Sequence, residues 1–219
     1  MCDVTDAAFV TKDLVFRGSI YYPDMGILRN KATFITGESG AGKTALLKMF
    51  NQTETQTSGT ILFCGSDVNS YCVTDLRKNA VLCGQNVFLF RGTVAENFNE
   101  FRRYIRLPSL SDEEMTEFLD LCCAERNLNR ECRNMSGGEK ARVFLAVHLS
   151  LKPIVLMLDE PTSALDGDTA MIVMQNIKSY CIMNEITLIA VSHDRRVVTE
   201  VADDVIDLGG RKDGRGTGT

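Results

Sequence analysis

Residues 33–44 read Thr-Phe-Ile-Thr-Gly-Glu-Ser-Gly-Ala-Gly-Lys-Thr. Gly37, Gly42, Lys43 and Thr44 stand at the fixed positions of the pattern G-x-x-x-x-G-K-[ST], with Glu38, Ser39, Gly40 and Ala41 between them. A turn this rich in glycine lets successive backbone N–H groups point inward at the oxygens of a phosphate. Lys43 would reach the β- and γ-phosphates of a nucleoside triphosphate such as ATP, and the Thr44 hydroxyl would bind Mg²⁺. The flanks agree with that use. Thr33-Phe34-Ile35 reads as a short buried strand, and residues 45–50 place apolar side chains at helical spacing. The loop would therefore run from a strand into a helix N-terminus, whose dipole favours negative charge.

Two further stretches could do chemistry. Leu156-Met157-Leu158-Asp159-Glu160 ends an apolar run with two acids. In an open α/β sheet such a strand end faces the ligand crevice. Asp159 would hold Mg²⁺, directly or through water. Glu160 would accept a proton from the attacking water. The second stretch is Asn134-Met135-Ser136-Gly137-Gly138-Glu139-Lys140. Gly137 and Gly138 would let the backbone approach a ligand, and Ser136 offers a hydroxyl. Ser136 and Glu139 also have the S-x-x-E spacing that caps a helix, so this is a second helix start suited to an anion.

The elements that must position these residues can be read along the chain. Lys12 to Tyr22 alternates loosely and ends at Pro23-Asp24, giving one or two strands. Residues 60–63 and 80–83 are further strands. Beyond Asn86 strand signals stop. Val94 to Tyr104 has helical spacing, Ser111 opens a second helix with Glu114, and Ser136 opens a third that ends before Pro153. Strand signals return at residues 154–158, 186–191 and 205–208, separated by helices near residues 168–184 and 195–202. Strands alternating with helices predict an α/β fold with a mainly parallel sheet. A small antiparallel β part would come first, and a helical lobe, about 86–150, would be inserted into a core of about 1–85 and 151–208. The Gly-rich charged tail from 209 to 219 is expected to be disordered.

Composition narrows the class. Hydrophobic residues make up 44% of the 219 and charged residues 24%, the balance of a soluble globular chain. The formal charge of −5 argues against nucleic acid as a direct partner. No apolar run reaches the roughly 18–20 residues that span a bilayer, so direct membrane insertion is not expected. The first residues lack the basic segment and apolar core of a signal peptide. The eight cysteines have no C-x-x-C spacing and only two histidines accompany them, which points to reduced, mostly buried cytosolic thiols rather than a zinc site.

Taken in order, Gly37–Thr44, Gln85, Met135–Lys140, Leu156–Glu160, Ser163-Ala164-Leu165-Asp166 and His193 resemble the Walker A, Q-loop, signature, Walker B, D-loop and H-loop elements of the ABC ATPase family, over nearly the whole chain. The resemblance implies a P-loop NTPase core. It implies that Gln85 contacts Mg²⁺ or the attacking water and senses a membrane partner, and that His193 contacts the γ-phosphate. Ser163–Asp166 would touch a second protomer. His148, in mid-helix, is left structural. The signature reads Met-Ser-Gly-Gly-Glu where Leu-Ser-Gly-Gly-Gln is commonest. An aromatic residue should stack on adenine, and Phe9 is preferred for it over the nearer Tyr21 and Tyr22.

The function this implies is an ATP-binding and ATP-hydrolysing subunit that drives a separate transmembrane transporter protein and forms a homodimer in its ATP-bound state. It would be cytoplasmic, held at the inner face of the membrane through its partner. It is similar to short prokaryotic stand-alone subunits, including metal-export types, which does not name a cargo. A non-transport ABC ATPase acting on DNA or the ribosome is the alternative. Against it, about 50 residues without heptads separate Gln85 from Ser136, where DNA-repair members carry a long coiled coil, and translation-factor members usually have two cassettes. A small-molecule P-loop kinase would lack the Ser136–Lys140 and Asp159-Glu160 elements.

Overall fold

The structure is a computed structural model and describes residues 6–209. The tail expected to be disordered lies, from residue 210, outside the described residues. Two sheets form. The first is antiparallel and opens the chain: β1 (Ala7–Phe16), β2 (Ile20–Tyr21) and β3 (Met25–Leu28), joined later by β5 (Ser58–Phe63) and β6 (Ser66–Asp67). Its long β1 pairs with β2, β3 and β5, all antiparallel.

The second sheet begins with β4 (Ala32–Thr36), which leads through the glycine loop into α1 (Lys43–Phe50). After β6, α2 (Val73–Asn79) runs into β7 (Ala80–Cys83). Three helices follow: α3 (Val94–Tyr104), α4 (Asp112–Leu121) and α5 (Gly137–Leu149). The chain then alternates through β8 (Val155–Asp159), α6 (Gly167–Met183), β9 (Thr187–Val191), α7 (Arg195–Val201) and β10 (Asp204–Asp207). The strand order is β10-β4-β9-β8-β7, and every pairing in it is parallel. The α/β architecture expected from the alternation is present. The short strands β3 and β6 carry little strand signal, because β3 contains Gly26 and β6 is only Ser66-Asp67, with no apolar residue.

Alternation along the parallel strands divides the core in two. Phe34, Leu156, Leu158, Leu188 and Ala190 face α5 and α6. Ile35, Val155, Met157, Ile189 and Val191 face the other way, toward α1 and the antiparallel sheet. Strands buried on both faces read as continuous apolar runs because no residue in them meets water. Two of the helices between β7 and β8 start at the capping boxes read from the sequence, Ser111 with Glu114 and Ser136 with Glu139, and a third box, Thr93 with Glu96, opens α3. Four of the seven described cysteines are buried and all seven are free. His148 is buried between Phe101 and Phe144, and burial pushes its pKa down to about 4.

Phe9 is not available to a nucleotide. Its ring is 1% exposed, stacks on Phe50 at 4.3 Å between centroids and meets Phe63 at 5.0 Å. Its upstream position suited a base platform, but it lies on the core face of β1 and is sealed by α1 and β5. Phe9→Ala should lower unfolding free energy by about 3–5 kcal/mol through the cavity it leaves. Denaturant unfolding measures this, and a loss below about 1 kcal/mol would contradict the packing role.

Candidate nucleotide site

Parallel pairing brings the chemistry-bearing residues to one edge of the sheet. Ile35 lies opposite Val191, Val191 opposite Asp159, and Leu158 opposite Cys83. Four adjacent strands therefore end level with one another, and each hands its next residues to the same crevice. Strand β4 delivers Gly37–Thr44, β8 delivers Asp159 and Glu160, β9 delivers His193 and β7 delivers Gln85.

The glycine loop is built for positive φ. Gly37, Gly40 and Gly42 have φ of 141°, 84° and 93°. Gly42 is also pinned from behind, because a Cβ there would meet the Tyr22 hydroxyl at 2.4 Å. That hydroxyl donates to the Gly42 carbonyl at 3.0 Å. Tyr22 is thus a prop beneath the loop, buried and with its pKa raised to about 12 by burial. Tyr21 points to solvent. No side chain caps the start of α1, whose N-cap is Gly42, so its first N–H groups are left for a ligand.

Lys43 is buried, and its ammonium donates to the carbonyls of Gly37 and Glu38 at 2.8 and 3.0 Å. It folds back into the loop and meets dipoles there, not a carboxylate. The Thr44 hydroxyl donates to Asp159 Oδ1 at 3.2 Å. Asp159 is buried, and burial raises its pKa, with Glu160 adding to the rise and Thr44, Lys48 and Lys43 opposing it. A hydroxyl and a carboxylate oxygen side by side suit a hard divalent cation that keeps waters and substrate oxygens as its other ligands.

Glu160 is held from two sides. Gln85 Nε2 donates to its Oε2 at 2.9 Å, and His193 Nε2 lies 3.2 Å from its Oε1. Its backbone is left-handed, with φ of 51°, and its N–H donates to the Val191 carbonyl at 3.0 Å. A non-glycine residue in that region costs energy, and such strain gathers at functional sites. A cavity of about 330 Å³ brings together Ser39, Gly40, Gly42, Lys43 and Thr44 with Glu160 and His193.

The same cavity is lined by Phe16 and Arg17, which the sequence reading missed. The Arg17 guanidinium lies 4.9 Å from the Phe16 ring centroid. The available signal was the end of a strand followed by Arg-Gly, now seen as a turn with positive φ at Arg17 and Gly18. Ser136, Gly137, Gly138 and Glu139 lie elsewhere. They open α5, and none of them lines this cavity. Gly138 instead packs against the turn before α6, where a Cβ would come within 3.0 Å of the Ala164 carbonyl.

Comparison with known proteins agrees with this geometry. Residues 23–163 match the family model described as ABC transporter. The chain belongs to the ABC transporter family of ATP-binding proteins. It is 37% identical over 175 residues to the "Probable iron export ATP-binding protein FetA" of Escherichia coli K12, covering 80% of this chain and 77% of that one. It is 32% identical to the methionine import ATP-binding protein MetN of Clostridium tetani, over 81% of this chain and 58% of that one. Among solved structures, CbiO1 from Clostridium perfringens, part of the ABC transporter complex CbiONQ, superposes with a TM-score of 0.80 at 27% identity, covering 92% of this chain and 84% of that one. A bacterial ABC transporter cassette solved as a dimer has a TM-score of 0.80 at 24% identity over 94% of this chain and 97% of its own, a likeness of fold. As a member of this family the chain is an ATPase.

Lys43→Ala removes the one ammonium folded into the loop and should weaken ATP binding by about 100-fold or more. Calorimetry on the folded variant measures this, and unchanged affinity would remove Lys43 from the site.

Proposed function

We propose that the chain is the ATP-hydrolysing subunit of a transporter whose membrane-spanning part is a separate protein, and that it works as an ATP-dependent homodimer. One observation carries this reading: the chain has two helix starts suited to a phosphate, and only one of them lies in its own nucleotide cavity. The start of α1 faces the cavity, while the Ser136–Gly138 start of α5 stands outside it. A second protomer packed head to tail would bring its α5 start to the γ-phosphate held by the first. That a family likeness includes a dimeric cassette supports this arrangement.

In that site Gly37–Lys43 bind the phosphates of ATP, and the base rests against the exposed Arg17, whose guanidinium lies over the buried Phe16 ring. Thr44 and Asp159 are the residues that would hold Mg²⁺, with Gln85 alongside. When bound, the ion offsets the charge of the phosphate oxygens and of Asp159. Glu160 takes the proton of the attacking water, and Gln85 and His193 hold its two oxygens in place. His193 lines the same cavity as the glycine loop and would contact the γ-phosphate there.

The partner surface is aromatic and follows Gln85. Phe88 is 56% exposed and meets Phe90 at 5.0 Å, and Phe90 stacks on Tyr104, which is 67% exposed, at 5.8 Å. Phe101 supports Phe90 from below. An apolar patch between the Gln85 segment and the 86–150 lobe suits a short segment of the transmembrane protein. No described helix is long and apolar enough to cross a membrane itself. The named relatives include a probable iron export and a methionine import protein, and both are named as ATP-binding proteins.

Glu160→Gln keeps the size of the side chain and loses the base. It should retain ATP and elute from size-exclusion chromatography as a dimer with Mg-ATP and as a monomer without. A monomer under both conditions would reject the head-to-tail dimer, and undiminished phosphate release would reject Glu160 as the base. Phe88→Asp should leave ATP binding unchanged and uncouple hydrolysis from transport in the reconstituted assembly. Full transport by that variant would move the partner surface elsewhere.

A further inference from the structure

The start of α5 has an electrostatic problem. An anion bound at a helix N-terminus is favoured by free N–H groups and by the dipole. A carboxylate in the same first turn works against it. Glu139 is such a carboxylate, at the third position of α5. The structure deals with its charge in two ways. Glu139 Oε2 accepts the backbone N–H of Ser136 at 2.8 Å, so the side chain is turned back over its own N-cap. Its Oε1 lies 2.7 Å from Arg130 Nη1. The Ser136 N–H and then Arg130 hold the Glu139 carboxyl down to about 2, so it is ionised throughout the working range.

Arg130 is itself held in place. The same Nη1 meets Glu125, and the Arg130 N–H donates to the Asn127 carbonyl at 3.1 Å. Its own carbonyl accepts the N–H of Val94, the first residue of α3, at 3.1 Å. The flanking residues repeat the connection: Ala95 N–H donates to Leu128, Cys132 N–H donates to Gly92, and Thr93 bridges Glu131. Arg130 therefore stands between two helix starts. Its backbone belongs to the start of α3, at the end of the segment that begins at Gln85, and its guanidinium belongs to the start of α5.

We infer that Arg130 is a positioning residue for the anion-binding start of α5: it holds Glu139 back and offsets part of its charge, so that Ser136–Gly138 meet a phosphate as N–H donors with the carboxylate turned away and paired. This rests on the reading that Ser136–Gly138 serve ATP held by the second protomer. A glutamine in place of Glu139 would need no cation beside it, which makes the inference separable from a packing role.

The test is a cycle of Arg130 and Glu139 variants, with turnover measured in the native Glu160 chain and ATP-dependent dimerisation measured in the Glu160→Gln chain. Arg130→Met keeps bulk and removes charge. It should lower kcat and weaken dimerisation by about tenfold each, the scale of one charge-assisted hydrogen bond. Affinity of the monomer for Mg-ATP should not change, since the α1 site does not involve Arg130. In the Glu139→Gln chain the same Arg130→Met change should cost less than about twofold. Arg130→Lys should recover most of the loss. Equal losses with Glu139 intact and in the Glu139→Gln chain would overturn the inference, as would an unchanged kcat for Arg130→Met alone. If Arg130→Met does not stay folded, Arg130→Gln carries the same comparison. A Glu160→Gln chain that stays monomeric in Mg-ATP with Arg130 intact would overturn the head-to-tail reading itself, whatever the Arg130 cycle gives.

Discussion

The parallel register of β4, β9, β8 and β7 is the constraint on which the rest of the molecule depends. Because Thr36, Val191, Asp159 and Cys83 end their strands nearly level, four loops open onto one crevice. A strand that slipped by one residue would reverse its inward and outward faces and move its loop by about 3.3 Å. The two apolar clusters prevent this. Phe34 and Ile35, Leu158 and Met157, and Ala190 and Ile189 each pack against a different layer, so slippage would exchange well-packed side chains on both faces.

Within that frame the polar groups of the site hold one another in place. Lys43 is satisfied by carbonyl oxygens of its own loop, and Asp159 by the Thr44 hydroxyl. Glu160 is spanned by Gln85 and His193. Each of these contacts fixes a charged or hydroxyl group at the mouth of the cavity. Preorganised polar groups of this kind cost little reorganisation when charge arrives. Supports lie one layer behind them, as Tyr22 does under Gly42.

The helices between β7 and β8 join two kinds of surface. Their apolar sides enter the same core as Phe34 and Leu156. The segment before α3 brings Phe88 and Phe90 against Tyr104 at the end of α3, forming the aromatic patch. The bonds that tie residues 92–95 to residues 128–132 link the segment after Gln85 to the residues before Ser136. The same segment is thus bonded at one end to Glu160 through Gln85 and at the other to the residues that precede α5.

How much of this was legible in the sequence follows from how local each feature is. The glycine loop, the capping boxes at Ser111 and Ser136 and the buried strands depend on residues within a few positions of one another, so their spacing alone locates them. Their order along the chain carries the family resemblance. Three things are not local, and only the folded chain decided them. Phe9 and Phe16 lie on one strand and are both aromatic, but Phe9 packs under α1 while Phe16 ends the strand at the cavity. Spacing does not tell which side of an irregular, bulged strand faces α1. Gln85 and His193 are 108 positions apart in the chain, and their meeting at Glu160 is a product of strand order. The pairing of Arg130 with Glu139 depends on a turn whose path is set by backbone bonds to the start of α3. Local physics writes the elements into the sequence, whereas contacts between elements arise only when the sheet aligns them.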